Sequence, residues 1–172
     1  MKIPGVAWRA MSAYDLPAVA EIAGAVHPKF PEAPEVLAER HSLYHNGAYL
    51  LEIGERPAGY ILSHPWRFGA LPALNSLLGA LPADPDTYYL HDLALLPVAR
   101  RIGAGGMMVE ALTRHAEARG LRQMSLVAVH GSASFWRRHD FLPVDVPERA
   151  GKLLSYDADA LYMVRRLDPP GD

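Results

Sequence analysis

"LHDLALLPVARRIGAGGMMVEAL", residues 90–112, carries the pattern that decides the architecture. An apolar run ends at Pro97. Arg100 and Arg101 follow, then glycines at 103, 105 and 106, then an apolar series with helical spacing. A strand, a glycine-rich turn and a helix start together bind anions. The first N–H groups of a helix have no internal partner, and the helix dipole makes that end positive. Glycines let a phosphate approach the main chain without a Cβ in the way, and the two arginines add charge. The stretch therefore points to a phosphate-bearing ligand. A Walker loop would need Gly-Lys-Ser/Thr where Gly105, Gly106 and Met107 stand, and a dinucleotide fingerprint would need glycine in place of Met108.

Outward from this loop, strand and helix signals alternate. Val6 to Met11 reads as a strand. Ser12 caps a helix running to about Val26, with Asp15 in its first turn, where an anion is favoured. His27 to Pro34 is a proline-punctuated loop, and Glu35 to His45 a second helix that Asn46 and Gly47 stop. Ala48 to Ile53 and Ala58 to His64 form a hairpin around "GERP". Thr87 to Leu96 is a strong strand and Gly105 to Arg119 an amphipathic helix closed by Gly120. Leu121 to Val129 is a strand, Ser132 to His139 a short helix, and "FLPVDV" (141–146) and Ala160 to Leu167 the closing strands. Strands interleaved with helices predict an α/β or α+β single domain over residues 1–172, around a mixed sheet. Residues 65–86 are the least regular part. Leu74 to Leu78 has room for a helical turn or two, and so long a loop is expected to wall a ligand site or to lie as a leucine-anchored surface segment.

Composition excludes several classes of function. Half of the 172 residues are hydrophobic and the net charge is -2, so there is neither a basic footprint for nucleic acid nor a charged tail. Zero cysteines remove disulfides, thiolate metal sites and a cysteine nucleophile, and fit a reducing cytoplasm. No apolar run is long enough for a signal peptide or a membrane span. His41 and His45 share a helix face but lack an intervening zinc-protease glutamate, so no metal is expected.

The series Arg100-x-x-Gly103-x-Gly105 after Pro97 resembles the acyl-CoA pyrophosphate loop of the GNAT superfamily of N-acetyltransferases, whose pattern is Gln/Arg-x-x-Gly-x-Gly/Ala. About 25 residues downstream, "GSASFWRRHDF" (131–141) is similar to the family's second signature, and the order of elements matches along nearly the whole chain. The resemblance implies a GNAT-like fold: about six or seven strands, about four helices, and two central parallel strands that splay apart. It implies acetyl-CoA as the cofactor. Its pantetheine arm would pair with main chain at Leu93, Ala94 and Leu95, and its pyrophosphate would rest on Arg100, Arg101, Ile102, Gly103, Ala104, Gly105 and Gly106. Ser132 and Phe135 would flank the thiol end. It also implies an amine acceptor, small or on a protein, and family members often dimerise through outer strands or helices.

The catalytic groups do not carry over simply. Where the family often has a tyrosine acid this sequence has Trp136, whose indole N–H is no practical acid, and Asp140 replaces the following glycine. Ser134, Ser132 and Tyr156 are the substitutes, and the helix N-terminus alone could steady a thiolate. For the base, "TYYLHDLAL" (87–95) supplies His91 and Asp92. Strict alternation puts Tyr89 and His91 on one face and Asp92 on the other, unless a bulge intervenes. The acceptor would enter between the first two helices and the 65–86 loop, past Trp66, Phe68, Leu71, Leu74, Leu77 and Leu78, with Glu32, Glu35 or Asp84 attracting its ammonium. The competing expectation, raised by Trp136, is a non-catalytic acyl-CoA binder of the same fold. A third is a regulatory domain for another nucleotide.

Overall fold

The computed structural model describes residues 3–146, 152–153 and 156–168. The strands are β1 (Val6–Ala10), β2 (Ala48–Ile53), β3 (Arg56–Trp66), β4 (Thr87–Leu95), β5 (Gln123–Ala128), β6 (Leu142–Pro143) and β7 (Leu161–Arg166). The helices are α1 (Leu16–Val26), α2 (Pro34–Leu43), α3 (Ala104–Ala118) and α4 (Ala133–Arg137). The strands form one seven-stranded mixed sheet in the order β1-β2-β3-β4-β5-β7-β6, and β4–β5 is its parallel pair.

Sequence chemistry explains most boundaries. The Asp15 carboxylate accepts the Ser12 N–H at 2.8 Å and is clamped by Arg9 at 2.7 and 2.8 Å, so residues 13–15 form a 3-10 turn before α1 begins. Gly54 and Glu55 both have positive φ, the signature of a tight hairpin turn whose twist suits the flanking strands. Gly120 (φ +75°) ends α3, and Leu121 N–H reaches back to Ala116 O at 3.0 Å. The closing strand expected over 141–146 shrinks to Leu142–Pro143, because a proline donates nothing to a ladder. The helical turn allowed at Leu74 to Leu78 does not form. Asn75 is left-handed (φ +56°), and the N–H groups of Leu78 and Gly79 are given to Glu39 at 2.6 and 3.0 Å.

The two faces of the sheet are covered separately. Val19, Ile22 and Ala23 of α1 and Leu37 of α2 pack on Leu50, Tyr60, Leu62 and Ala94. Met108, Val109 and Leu112 of α3, with Trp136 of α4, pack on Ile61, Tyr88, Leu90, Met124 and Leu126. Alternating residues of one strand serve opposite faces, as the two-residue period requires. Between these layers the parallel pair opens. β4 and β5 are in register at Tyr88, Tyr89 and Leu90, against Met124, Ser125 and Leu126, and then part, although β4 runs on to Leu95.

Candidate active site

The divergence of β4 and β5 leaves a groove with a cavity volume of about 450 Å³. Leu93, Leu95, Leu126 and Val127 line it, Arg100 stands at one end, and Ser132, Phe135 and Trp136 close one side. Leu93, Ala94 and Leu95 pair with β3 on one edge, so their other main-chain edge is open to the groove. Ala94 itself is fully buried and its methyl packs beneath α1 and α2, which leaves only its backbone to the groove.

At the groove's end the chain turns sharply into α3. Arg101 (φ +61°) and Gly103 (φ +80°) are both left-handed, and such local reversals turn successive N–H groups inward as an anion-binding concavity. Gly103 is the N-cap, and no atom lies within 4 Å of the Cβ it lacks, so its conformation is what demands glycine. Gly105 and Gly106 have a packing reason of their own. A Cβ on Gly105 would lie 3.2 Å from Phe135, and one on Gly106 2.9 Å from His139, so these glycines let α4 and the turn after it pack on the first turn of α3. Trp8 Nε1 donates to Ala104 O at 2.8 Å, and Ile102 packs with Ala99 and Leu51. Arg100 Nε donates to Leu95 O at 3.0 Å, which holds its guanidinium across the strand exit.

A second, smaller cavity of about 60 Å³ lies between β4 and the α1–α2 connection. Its apolar wall is Ala23, Phe30, Leu37, Leu74 and Val127. A β-bulge decides its polar wall. Leu62 pairs with Asp92 and the adjacent Ser63 with Leu90, so His91 is the extra residue. The bulge overturns strict alternation, and His91 and Asp92 both border this cavity. His91 Nε2 donates to Glu32 Oε1 at 2.6 Å, with both side chains under 10% exposed (8% and 9%). His27, the residue that closes α1, donates from Nε2 to Asp92 Oδ1 at 2.8 Å, and Tyr60 OH donates to Asp92 Oδ2. Five side chains, from α1, the following loop, β3 and β4, thus form two imidazole–carboxylate pairs, one of them backed by a phenol.

These contacts set the charges. Burial pushes the Asp92 carboxyl up, but its bond to His27 and the nearby imidazoles win and hold it below the ordinary value. Glu32 behaves alike: burial opposes ionisation, and the His91 bond overrides it. Burial lowers the His27 imidazole, yet the Asp92 bond and the charges of Asp92 and Glu32 outweigh it and raise its pKa.

Cavity and groove share His27, His91, Asp92, Val127, Val129 and His130. The His130 ring stacks on His27 at 5.6 Å between centroids and lies 3.5 Å from Asp157. Of the candidates read from sequence, His91 and Asp92 stand at this junction. Tyr156 borders only the smaller cavity, with its hydroxyl donated to Pro72 O and pushed up to about 12 by burial. Ser132 borders only the groove, and Ser134 is exposed on α4 and borders neither. Leu74 and Glu32 line the smaller cavity. Leu77 and Glu35 are exposed, Leu71 packs against Tyr162, and Asp84 pairs with Arg67 at 2.6 Å on the surface. Sequence reasoning missed His27, Tyr60 and His130. His27 was visible only as a histidine beside a proline, and nothing local to it announces Asp92, 65 positions away.

The 67–79 segment covers the smaller cavity with Leu74 and is tied on both sides. Ala33 N–H donates to Asn75 Oδ1 at 2.6 Å, Arg40 Nη2 to Ser76 O at 3.1 Å, and Gly69 N–H to Tyr162 OH at 2.9 Å. Among the described residues no cluster of His, Asp and Glu is arranged to hold a metal ion, and no helix is long and apolar enough to cross a membrane.

A family model described as "Acetyltransferase (GNAT) family" matches residues 13–141. No curated protein matches the sequence. Solved structures share the fold at low identity. The loading GNATL domain of CurA from Lyngbya majuscula is 12% identical with a TM-score of 0.78, over 94% of this chain and 97% of that one. The ribosomal-protein-S18-alanine N-acetyltransferase of Escherichia coli is 17% identical with a TM-score of 0.66, over 97% of each chain. N-acetylglutamate synthase of Neisseria gonorrhoeae, solved with coenzyme A and N-acetyl-glutamate, is 17% identical with a TM-score of 0.71, over 97% of this chain and 36% of that one.

Proposed function

The chain belongs to the GNAT acetyltransferase family, and from that premise we propose that it moves an acetyl group from acetyl-CoA to the nitrogen of a small primary amine. One observation carries the proposal: an open-edged groove meets a smaller cavity at two imidazole–carboxylate pairs. The groove suits a long, thin donor. The cavity, about 60 Å³, suits a compact acceptor better than a protein surface. We assign residues 1–172 to one domain, working in the cytoplasm.

The residues divide the work. The N–H groups at the start of α3, together with Arg100 and Arg101, would hold the diphosphate, where helix dipole and guanidinium charge act together. The free edge of Leu93 to Leu95 would pair with the amide-bearing arm, and Ser132 and Phe135 would flank its end. Bound there, acetyl-CoA supplies an activated thioester carbonyl. An alkylamine is mostly protonated near neutrality, so the acceptor must lose a proton before it attacks. His91, steadied by Glu32, borders the acceptor cavity and takes that proton, and Glu32 stabilises the imidazolium that results.

The test is to incubate the protein with acetyl-CoA and a panel of primary amines while following free CoA. Amine-dependent release is expected, with coenzyme A raising the melting temperature and ATP or NAD leaving it unmoved. Coenzyme A binding without release on any amine would replace this function by that of a non-catalytic acyl-CoA binder.

A further inference from the structure

We propose that His27 is the acid that protonates the departing thiolate, positioned by Asp92 and Tyr60; this rests on the acyl-transfer function above. The family's usual tyrosine acid is absent, and Trp136 lines the groove in its place with only an indole N–H. A donor arm lying in the groove and an acceptor lying in the cavity can meet only at the surface both share. Among the described residues, the proton-bearing side chains on that shared surface are His27, His91 and His130, with the Asp92 carboxylate between them. Tyr89 and Tyr156 border the cavity alone, and Ser132 the groove alone.

Placement separates the two carboxylate-bonded imidazoles of His27 and His91. The partner of His91, Glu32, borders the acceptor cavity and not the groove. The neighbour of His27, Val26, borders the groove and not the cavity. His27 also closes α1, with its N–H on Ala23 O at 2.8 Å, and the negative end of a helix favours an imidazolium. The His27 side chain is 18% exposed and hydrogen-bonded to a carboxylate at 2.8 Å, whereas the His130 side chain is 37% exposed and 3.5 Å from its own.

The groups facing His27 are Asp92 and Tyr60 from the sheet, His130 stacked on its ring, and Glu32 through space. Against the opposing effect of burial, the Asp92 hydrogen bond and the charges of Asp92 and Glu32 prevail and raise the His27 pKa above its ordinary value. Tyr60 donates to the Asp92 oxygen that His27 does not use, so the carboxylate stays fixed while its partner changes charge. With Nε2 committed to Asp92, the transferable proton is the one on Nδ1. The step balances: the ammonium's first proton passes by way of His91 to water before attack, then the N–C bond forms and the C–S bond breaks, His91 accepts the second proton from nitrogen, and sulfur receives one from His27. His27 is left neutral, with its Nε2–H still on Asp92.

Three measurements decide the matter. Nitrogen-15 NMR titration of the unliganded protein is expected to show the His27 imidazole protonated above its ordinary pKa, and Asp92→Asn to move that titration to lower pH. With acetyl-CoA, His27→Asn and His27→Gln should lower kcat about 100-fold. With a nitrothiophenyl thioacetate, whose thiolate leaves without a proton, the same variants should lose less than about threefold, because an acid helps only where the leaving group needs one. In Asp92→Asn the high-pH limb of kcat should shift to lower pH. Equal losses on both donors, an unaltered acetyl-CoA rate, or a His27 titration indifferent to Asp92 would each overturn the assignment. Should the unaltered protein release no CoA with any amine, the acyl-transfer function falls first and the acid with it. Losses that appear only in the variants bear on His27 alone. If the His27 variants fail to fold, the titration and the Asp92→Asn profile still decide.

Discussion

The two halves of the site are built in opposite ways. The donor half comes from nearly contiguous chain, β4, the following turn and the start of α3, with α4 laid against it. What it presents is backbone: open strand edge, left-handed turn residues and the N–H groups of a helix start. The proposed acceptor half joins five separated segments at residues 23–37, 74, 89–92, 127–130 and 156, and what it presents is side-chain pairs. Backbone recognition depends on conformation and on where a Cβ is absent, so it is damaged by shape. Side-chain pairs depend on charge and proton position, so isosteric substitution damages them. The halves should therefore fail in different observables.

The largest expected effect lies in the acceptor half. Glu32→Gln keeps the size of the side chain and removes the charge that stabilises a protonated His91. A lost general-base function costs on the order of 100-fold in kcat, and coenzyme A affinity by calorimetry should stay within about twofold, since Glu32 does not border the groove. A parallel loss of coenzyme A affinity would break the separation of the halves.

Shape is the corresponding weakness on the donor side. Gly105→Val pushes a branched side chain toward Phe135 and Leu95, 3.2 and 3.3 Å from where its Cβ would sit, and both residues line the groove. Overpacking of this kind costs about 1–3 kcal/mol, and coenzyme A affinity should weaken by about tenfold or more as α4 is displaced. Gly103→Asn is the control. The space there is open and asparagine tolerates a left-handed φ, so the loss should stay within about 1 kcal/mol. If the two variants are equally damaged, the glycines serve phosphate approach rather than helix packing.

This division also governs how much was legible in sequence. The sheet, its helices and the Arg100 to Gly106 turn are local patterns, and hydrophobic period, proline and glycine mark them. The β4 bulge left no such mark. It depends on how Ser63 and Leu62 seat against Leu90 and Asp92, and a one-residue slip puts Asp92 on the face opposite to the one alternation assigns. His27 with Asp92 and Glu32 with His91 are likewise pairings across 65 and 59 positions. Single residues of ordinary type gave no hint of such partners. The glycines show the converse. Their positions were plain, but at two of them the space of a Cβ is taken by Phe135 of α4 and by His139 just after it, a packing reason that a loop motif does not contain.

The smallest expected effect tests whether the covering segment belongs to the acceptor half. Tyr156 OH donates to Pro72 O, two residues before Leu74, which closes the cavity. Tyr156→Phe leaves the ring in place and strips a carbonyl of its donor, at a cost near 1 kcal/mol of stability in thermal unfolding. If the tie holds Leu74 over the acceptor, the amine KM should rise about fivefold, because that same cost is spent on ordering the cover when the amine binds. Neither kcat nor coenzyme A affinity should follow, since the hydroxyl is already engaged and does not border the groove. A fall in kcat with KM unchanged would instead make Tyr156 the acid and take that role from His27. The split between KM and kcat thus separates a residue that shapes the cavity from one that moves a proton.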